Sequence, residues 1–249
     1  MKKEVLGVGI DDVNINQALE IVQGWLSEPG KRFIVTPNPE FLVDAQNNPD
    51  FKRILNNADL AIPDGKGLRI GSDIVCNTPG IDLMEGLVRL AGEKGFTTGF
   101  LGGRGQVAEL TAERLKKKYP KLKVTFAESG GKVISDGQSL GNIQSSKSLR
   151  SEDVNISFAP SLRIPKTDIL FVAFGHPKQE KWIATHLDKI PVKVAMGVGG
   201  SFDYVSGKVP RAPVWVRNLG LEWLFRLIRE PWRIKRQIKL LKYVWYVLN

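Results

Sequence analysis

The chain has 249 residues, with 36 Lys+Arg against 26 Asp+Glu and a formal net charge of +10. Its 42% hydrophobic and 25% charged residues give the balance of a folded globular protein, which excludes intrinsic disorder as the general state. Cys76 is the single cysteine, so a disulfide framework and a cysteine-based zinc site are excluded and a reducing, cytoplasmic setting is expected.

In chain order, VLGVGI (5–10) reads as a first strand, since its apolar stretch is too short and too broken by glycine for a secretory signal. An amphipathic stretch around Ala18, Ile21, Val22 and Trp25 follows. Further strand-like runs are FIVT (33–36), ADLAIP (58–63), TTGFLG (97–102), LKVTFA (122–127), DILFVAFG (168–175) and VKVAMGVG (192–199), with helical patterns at 81–93 and 106–118 among those between them. Strands apolar throughout and separated by helices predict an α/β fold: a Rossmann-like parallel sheet covered on both faces, over residues 1–206. Residues 129–165, rich in Gly and Ser, interrupt the rhythm and read as a long surface loop.

The remaining residues, 207–249, form a C-terminal appendage of different character. From Lys208 onward ten Lys/Arg face only Glu222 and Glu230, a net +8, and four of the six tryptophans lie here. Pro231 can open a helix in which Ile234, Ile238, Leu241, Trp245 and Leu248 share one side, opposite Lys235, Arg236, Lys239 and Lys242. This is the pattern of a basic helix lying at an anionic membrane surface; the alternative is a terminal helix docked on the domain with a solvated basic face. No run reaches the ~18 apolar residues that span a bilayer, so peripheral association is the expected form.

Parallel sheets bind ligands beyond the carboxyl ends of their strands, so polar residues just after each strand are the candidates. Thr36 and Asn38 follow the first such run, either pointing into the crevice or making a well-formed turn with Asn38 as a cap. Asp64, between Pro63 and Gly65, is either a turn residue or a carboxylate able to accept a proton from a sugar hydroxyl. Gly102 and Gly103 open a glycine turn suited to phosphate at a helix N-terminus. Gly103, Gly105, Ala108 and Glu128 also fit a short dinucleotide fingerprint, which keeps an NAD(P)-dependent oxidoreductase as the alternative. Lys178, Gln179 and Glu180, after DILFVAFG, are placed to bind phosphate or sugar hydroxyls, and Gly199 permits close backbone approach to a ligand.

His176 and His186 are too far apart in sequence for a metal-ligand pair, and no Asp-x-Asp pair or GxxxxGK[ST] loop is present. A bound diphosphate would therefore need arginine, lysine and helix N-termini. A pI near 9.7 raises nucleic acid as a partner, but no nucleic-acid motif accompanies it, and none is expected.

The segments TPNPE (36–40), ADLAIPDG (58–65), PGIDL (79–83), FLGG (100–103), FGHPKQEKW (174–182), GVGGSFD (197–203), GKVPRAP (207–213) and GLEWLFRLIREPWRIKRQ (220–237) resemble, in order, the bacterial WecG/TagA/CpsF glycosyltransferases. The resemblance implies an inverting transferase without metal or cofactor. It would move N-acetylmannosamine or a related sugar from a UDP-sugar to undecaprenyl-diphosphate-linked N-acetylglucosamine, at the inner face of the cell membrane, for cell-wall or surface polysaccharide. It casts Asp64 as base with Thr36 beside it, Gln179 as an active-site glutamine, and Arg226, Arg233 and Arg236 as arginines completing the site near the diphosphate. A homo-oligomer is compatible with all of this. Two departures are an Asn77 about where many relatives carry arginine and the absence of the usual HGYF after VTFAE.

Overall fold

The structure, a computed structural model, describes residues 2–129, 164–231 and 234–248, with the backbone alone at 235–237. The Gly/Ser-rich segment therefore lies almost wholly outside the described residues.

The first run is a hairpin and not the single strand expected. β1 (Lys2–Val5) and β2 (Val8–Asp11) pair antiparallel, Val5 opposite Val8, around a two-residue turn in which Leu6 and Gly7 have φ of 53° and 75°. Two left-handed residues match the twist of a hairpin, and Leu6 hides this turn from a sequence reading that looks for Asn-Gly or Asp-Gly. The hairpin guards the main sheet's edge, where the Ala61 N–H donates to the Asp11 carboxylate at 2.8 Å.

The main sheet joins β3 (Arg32–Val35), β4 (Leu60–Ala61), β5 (Thr97–Gly102), β6 (Lys123–Glu128), β7 (Thr167–Ala173) and β8 (Val192–Gly197) in the order β4-β3-β8-β7-β5-β6, every pairing parallel. Successive buried residues alternate between its faces as a period of two demands. Ile34, Phe100, Ile169, Phe171, Val194 and Met196 pack with α1 (Ile15–Ser27), α4 (Gly80–Lys94) and α5 (Val107–Lys118). On the opposite face Phe33, Val35, Leu101, Leu170, Val172 and Ala195 pack with the hairpin, α2 (Pro39–Asn47), α3 (Pro49–Asn56) and α6 (Lys178–His186). With both faces covered the strands are apolar throughout, which made them legible.

The end of the chain is folded onto this domain. After α7 (Ser201–Val205) come α8 (Val214–Leu219), α9 (Glu222–Arg229) and α10 (Ile234–Leu248). α10 packs against α2 and belongs to the second core through Tyr243, which is fully buried and donates its hydroxyl to the carbonyls of Leu68 and Ile70 at 3.3 and 3.0 Å. The side turned to the domain is therefore the one bearing Lys239, Tyr243 and Val247. The stripe of Ile234, Ile238, Leu241, Trp245 and Leu248 is turned outward, each residue at least 51% exposed. The helix is docked, as one of the two sequence readings had it, but Lys239 of its basic face is held in ion pairs with Asp44 and Glu40 while the apolar stripe is the side turned outward.

Candidate active site

The carboxyl ends of β3, β4, β5, β7 and β8 open on one edge of the sheet, and the predicted site residues gather there. Thr36 follows β3 and is buried against Gly80, the first residue of α4, where even an added Cβ would lie 3.2 Å from Thr36 Oγ1. Asp64 follows β4 in a turn pinned from both sides. Its own N–H donates to the Pro37 carbonyl at 2.9 Å, and the Gly65 N–H donates to Asn77 Oδ1 at 2.9 Å. Asn77, the departure noted in the sequence, thus fixes the turn that presents the carboxyl.

The Asp64 carboxyl is pushed up from the ordinary 3.8 to about 7. Loss of water is the main cause, although the residue keeps an open edge. The carboxylates of Glu222 and Asp82 push in the same direction, opposed by the Gly80 N–H at the start of α4 and by Arg211. Arg211 grips Asp82 with two hydrogen bonds, at 2.5 and 2.9 Å, and reaches Glu222 at 3.4 Å. This bidentate arginine ties the 207–213 strap, α4 and α9 together beside Asp64. Sequence reasoning singled out neither Arg211 nor Glu222; the one signal was an acid standing nearly alone in a basic tail.

Arg226 lies one helical turn beyond Glu222, on the same face of α9. Its guanidinium presses on Gly200 in the turn after β8, where an added Cβ would sit 2.8 Å from Nη1. It donates to Glu230 at 2.8 Å, lies 3.9 Å from Asp203 and stacks over Tyr204 at 4.8 Å. Its Nη2 is buried and makes no hydrogen bond. α9 thus spans the crevice, with Glu222 toward the Asp64 side and Arg226 over the glycine turn. Arg233 lies outside the described residues, and of Arg236 only the backbone, in the first turn of α10, is described.

Gln179 and Glu180 are both almost fully buried at the start of α6. Gln179 Oε1 accepts the N–H of Gly199 at 2.9 Å and of Gly175 at 3.2 Å, and its Nε2 donates to Glu180 at 2.6 Å. Gln179 is thereby a brace between the turns after β7 and β8. Lys178 is half-buried in the first turn of α6. Asn38 spends its Oδ1 capping α2, accepting from the Phe41 N–H at 3.1 Å, so the cap half of its sequence reading is realised. Gly102 and Gly103 turn the chain after β5 with φ of 100° and 87°, and a side chain on Gly102 would meet Ala173 and Phe174.

A concavity of about 300 Å³ lies at the opposite, amino end of the sheet, lined by Lys31, Lys166, Asp168 and Lys193 among others. Its lysines are largely spent on the fold: Lys31 donates to the carbonyls of Leu187, Asp188 and Ile190, and Lys193 to that of Leu26. The carboxyl edge, with the raised Asp64 carboxyl and an arginine nitrogen that makes no hydrogen bond, is the chemically poised one.

Comparison with known proteins identifies the family. The model of the glycosyl transferase WecG/TagA/CpsF family matches residues 3–249. An N-acetylglucosaminyldiphosphoundecaprenol N-acetyl-beta-D-mannosaminyltransferase of Bacillus spizizenii is 33% identical over 230 residues, covering 90% of this chain and 82% of that protein. One of the same name from Staphylococcus aureus strain MRSA252 is 30% identical over 242 residues, covering 94% of this chain and 87% of that protein. The chain belongs to the WecG/TagA/CpsF glycosyltransferase family, which sets the oxidoreductase alternative aside.

Proposed function

We propose that this glycosyltransferase moves N-acetylmannosamine from a UDP-sugar to N-acetylglucosaminyl-diphosphoundecaprenol, with inversion at the anomeric carbon and without a metal ion. The donor and acceptor sugars follow the names of the relatives. The observation that carries the chemistry is the Asp64 carboxyl held at about 7 on the edge of the sheet where strand-end glycines and Arg226 converge.

At neutral pH about half of such a carboxyl is ionised, which suits a general base, since proton transfer is most effective when pKa and working pH agree. Asp64 takes the proton of the acceptor hydroxyl as its oxygen forms the new bond to the anomeric carbon. The bond from that carbon to the diphosphate breaks on the opposite face, and its electron pair leaves with UDP. Arg226, whose Nη2 makes no hydrogen bond among the described residues and only a long ion pair with Asp203, meets the charge appearing on the diphosphate. Gln179 holds the turns at Gly175 and Gly199 in place.

Among the described residues no helix is long and apolar enough to cross a membrane. The acceptor is nonetheless a lipid, and the outward residues of α8–α10, including Val214, Trp215, Leu219 and Ile228, are the surface that would meet the bilayer holding it.

Transfer from UDP-N-acetylmannosamine to a soluble analogue of the lipid-diphosphate acceptor tests the reading. Purified enzyme should turn over without added divalent cation and be insensitive to chelator, and Asp64→Asn should remove turnover while retaining UDP. A folded Asp64→Asn enzyme with normal turnover would dismiss Asp64 as base.

A further inference from the structure

His176 is assigned no role by the reading above, yet it stands at the junction of three elements. Its ring is 8% exposed, stacked on Phe41 at 4.0 Å and edge-on to Phe51 at 4.8 Å. Nε2 is 2.7 Å from Asp44 on α2, and the same Asp44 oxygen accepts from Lys239 of α10, also at 2.7 Å. Nδ1 faces Glu180 at 3.8 Å; neither that nitrogen nor Glu180 Oε2 makes a hydrogen bond, and both are buried. Glu180 holds Gln179 by its other oxygen, and Gln179 holds Gly199 and Gly175.

We propose that His176 is a positioning residue for sugar transfer, joining the Lys239–Asp44 anchor of α10 to Glu180 and, through Gln179, to the glycine turns of the active site. The path Lys239–Asp44–His176–Glu180–Gln179–Gly199 runs from the C-terminal helix to the strand ends through hydrogen bonds at every step but His176–Glu180, which is a 3.8 Å charge contact. The charged groups around the ring are Asp44 and, beyond it, Glu40 from α2, Glu180 from α6, and Lys239 from α10, which also reaches Glu40 at 3.5 Å. Three carboxylates about one lysine leave room for a cation in the ring. Burial alone would lower the ring's pKa, but the hydrogen bond to Asp44 and the nearby Glu180 carboxylate outweigh it and hold the pKa above its ordinary 6.5. A protonated ring grips both carboxylates; a neutral ring must release one of them.

His176 and His186 are the only histidines, so the imidazole signals of the intact chain can be titrated by NMR with His186 as internal reference. His176 should titrate above 6.5, Asp44→Asn should lower that value and Lys239→Met should raise it. The transferase rate should fall as pH rises through the same value, and this alkaline limb should follow both variants. His176→Gln should lose the limb and at least about tenfold in kcat with little change in KM for the UDP-sugar. In it, hydrogen exchange at Gly175 and Gly199 should accelerate about tenfold. A ring titrating at or below 6.5, a titration indifferent to Asp44→Asn, or unaltered exchange and alkaline limb in His176→Gln would overturn the proposal. If His176→Gln does not fold, the Asp44 and Lys239 variants decide. The kinetic arm rests on the transferase reading. Were the wild-type enzyme to transfer no sugar from any UDP donor, that reading would fall, and titration and exchange would still decide whether the ring positions the turns.

Discussion

Asp64 carries opposite demands for folding and for chemistry. A carboxyl raised to about 7 binds its proton more tightly in the folded state than the ordinary 3.8. Stability therefore falls as pH climbs between those values, because the folded chain holds the extra proton there and must give it up. Asp64→Asn should remove the conflict. It should leave stability at pH 4 nearly unchanged and raise it at pH 8 by about 1–2 kcal/mol, the full shift being discounted because the residue keeps an open edge. Urea unfolding of both proteins at the two pH values checks this. Equal stabilities at pH 8 would mean that the carboxyl is not raised.

Arg226 offers a second residue-level test. Arg226→Ala should lower kcat by roughly 10²-fold, the usual cost of removing one donor aimed at developing charge, with a smaller change in UDP affinity. A variant that loses UDP binding but keeps kcat would make Arg226 a ground-state ligand only. At this scale the sequence was half legible. Asp64, Thr36, Gln179 and Arg226 were named by motif position; the first three follow β4, β3 and β7, and Arg226 lies on α9 over the turn after β8. Arg211, His176 and Asp44 escaped because their meaning lies in pairings such as Arg211 with Asp82, 129 positions apart, which no local pattern announces. The capping role of Asn38 was one of the two readings of its position, whereas the bonds from the Gly175 and Gly199 N–H groups to Gln179 emerged only from the fold.

Among the elements, the parallel strands and most helices were readable from the apolar rhythm, because a strand buried on both faces has no polar side to blur it. The N-terminal hairpin was missed at Leu6, whose left-handed φ is unusual for a branched apolar residue. α10 was recognised as amphipathic, but its polar side could not be seen to hold Tyr243 and the Lys239 ion pairs. The Tyr243 hydroxyl serves two carbonyls of the segment that follows the Asp64 turn. Tyr243→Phe takes this donor from the Ile70 carbonyl, while that of Leu68 keeps the Ser72 hydroxyl, and should cost about 1 kcal/mol in urea unfolding. It should also raise the acceptor KM if that segment shapes the acceptor side of the crevice. Undiminished stability would show that the bonds are idle.

For the whole molecule, the opening figure of +10 resolves into a nearly balanced domain and a tail carrying +8. Part of the tail's charge is consumed internally by Arg211, Arg226 and Lys239, in pairs with Asp82, Asp203, Asp44 and others. What remains outward is mixed with exposed Trp215, Trp245, Ile228 and Leu241. Leu241→Glu with Trp245→Glu should weaken flotation with anionic vesicles by about tenfold or more, and raising salt should weaken wild-type flotation. Because both side chains already face water, the melting temperature should stay put. These substitutions are cleaner than cutting off the tail, which would strip Tyr243 and Arg226 from the domain at the same stroke. Vesicle binding unaltered by the double variant would remove α10 from the membrane contact.

A helix that docks through Lys239, Tyr243 and Val247 and displays a separate oily stripe has a further consequence. On the proposed membrane contact, lipid and protein would not compete for the same surface of α10. The bilayer can take the outer stripe while Tyr243 and Lys239 stay seated, so adsorption need not pry the helix loose. The enzyme would then skim along the leaflet as a finished catalyst, and the rate at which it meets a lipid-borne acceptor would be set by sideways diffusion in two dimensions.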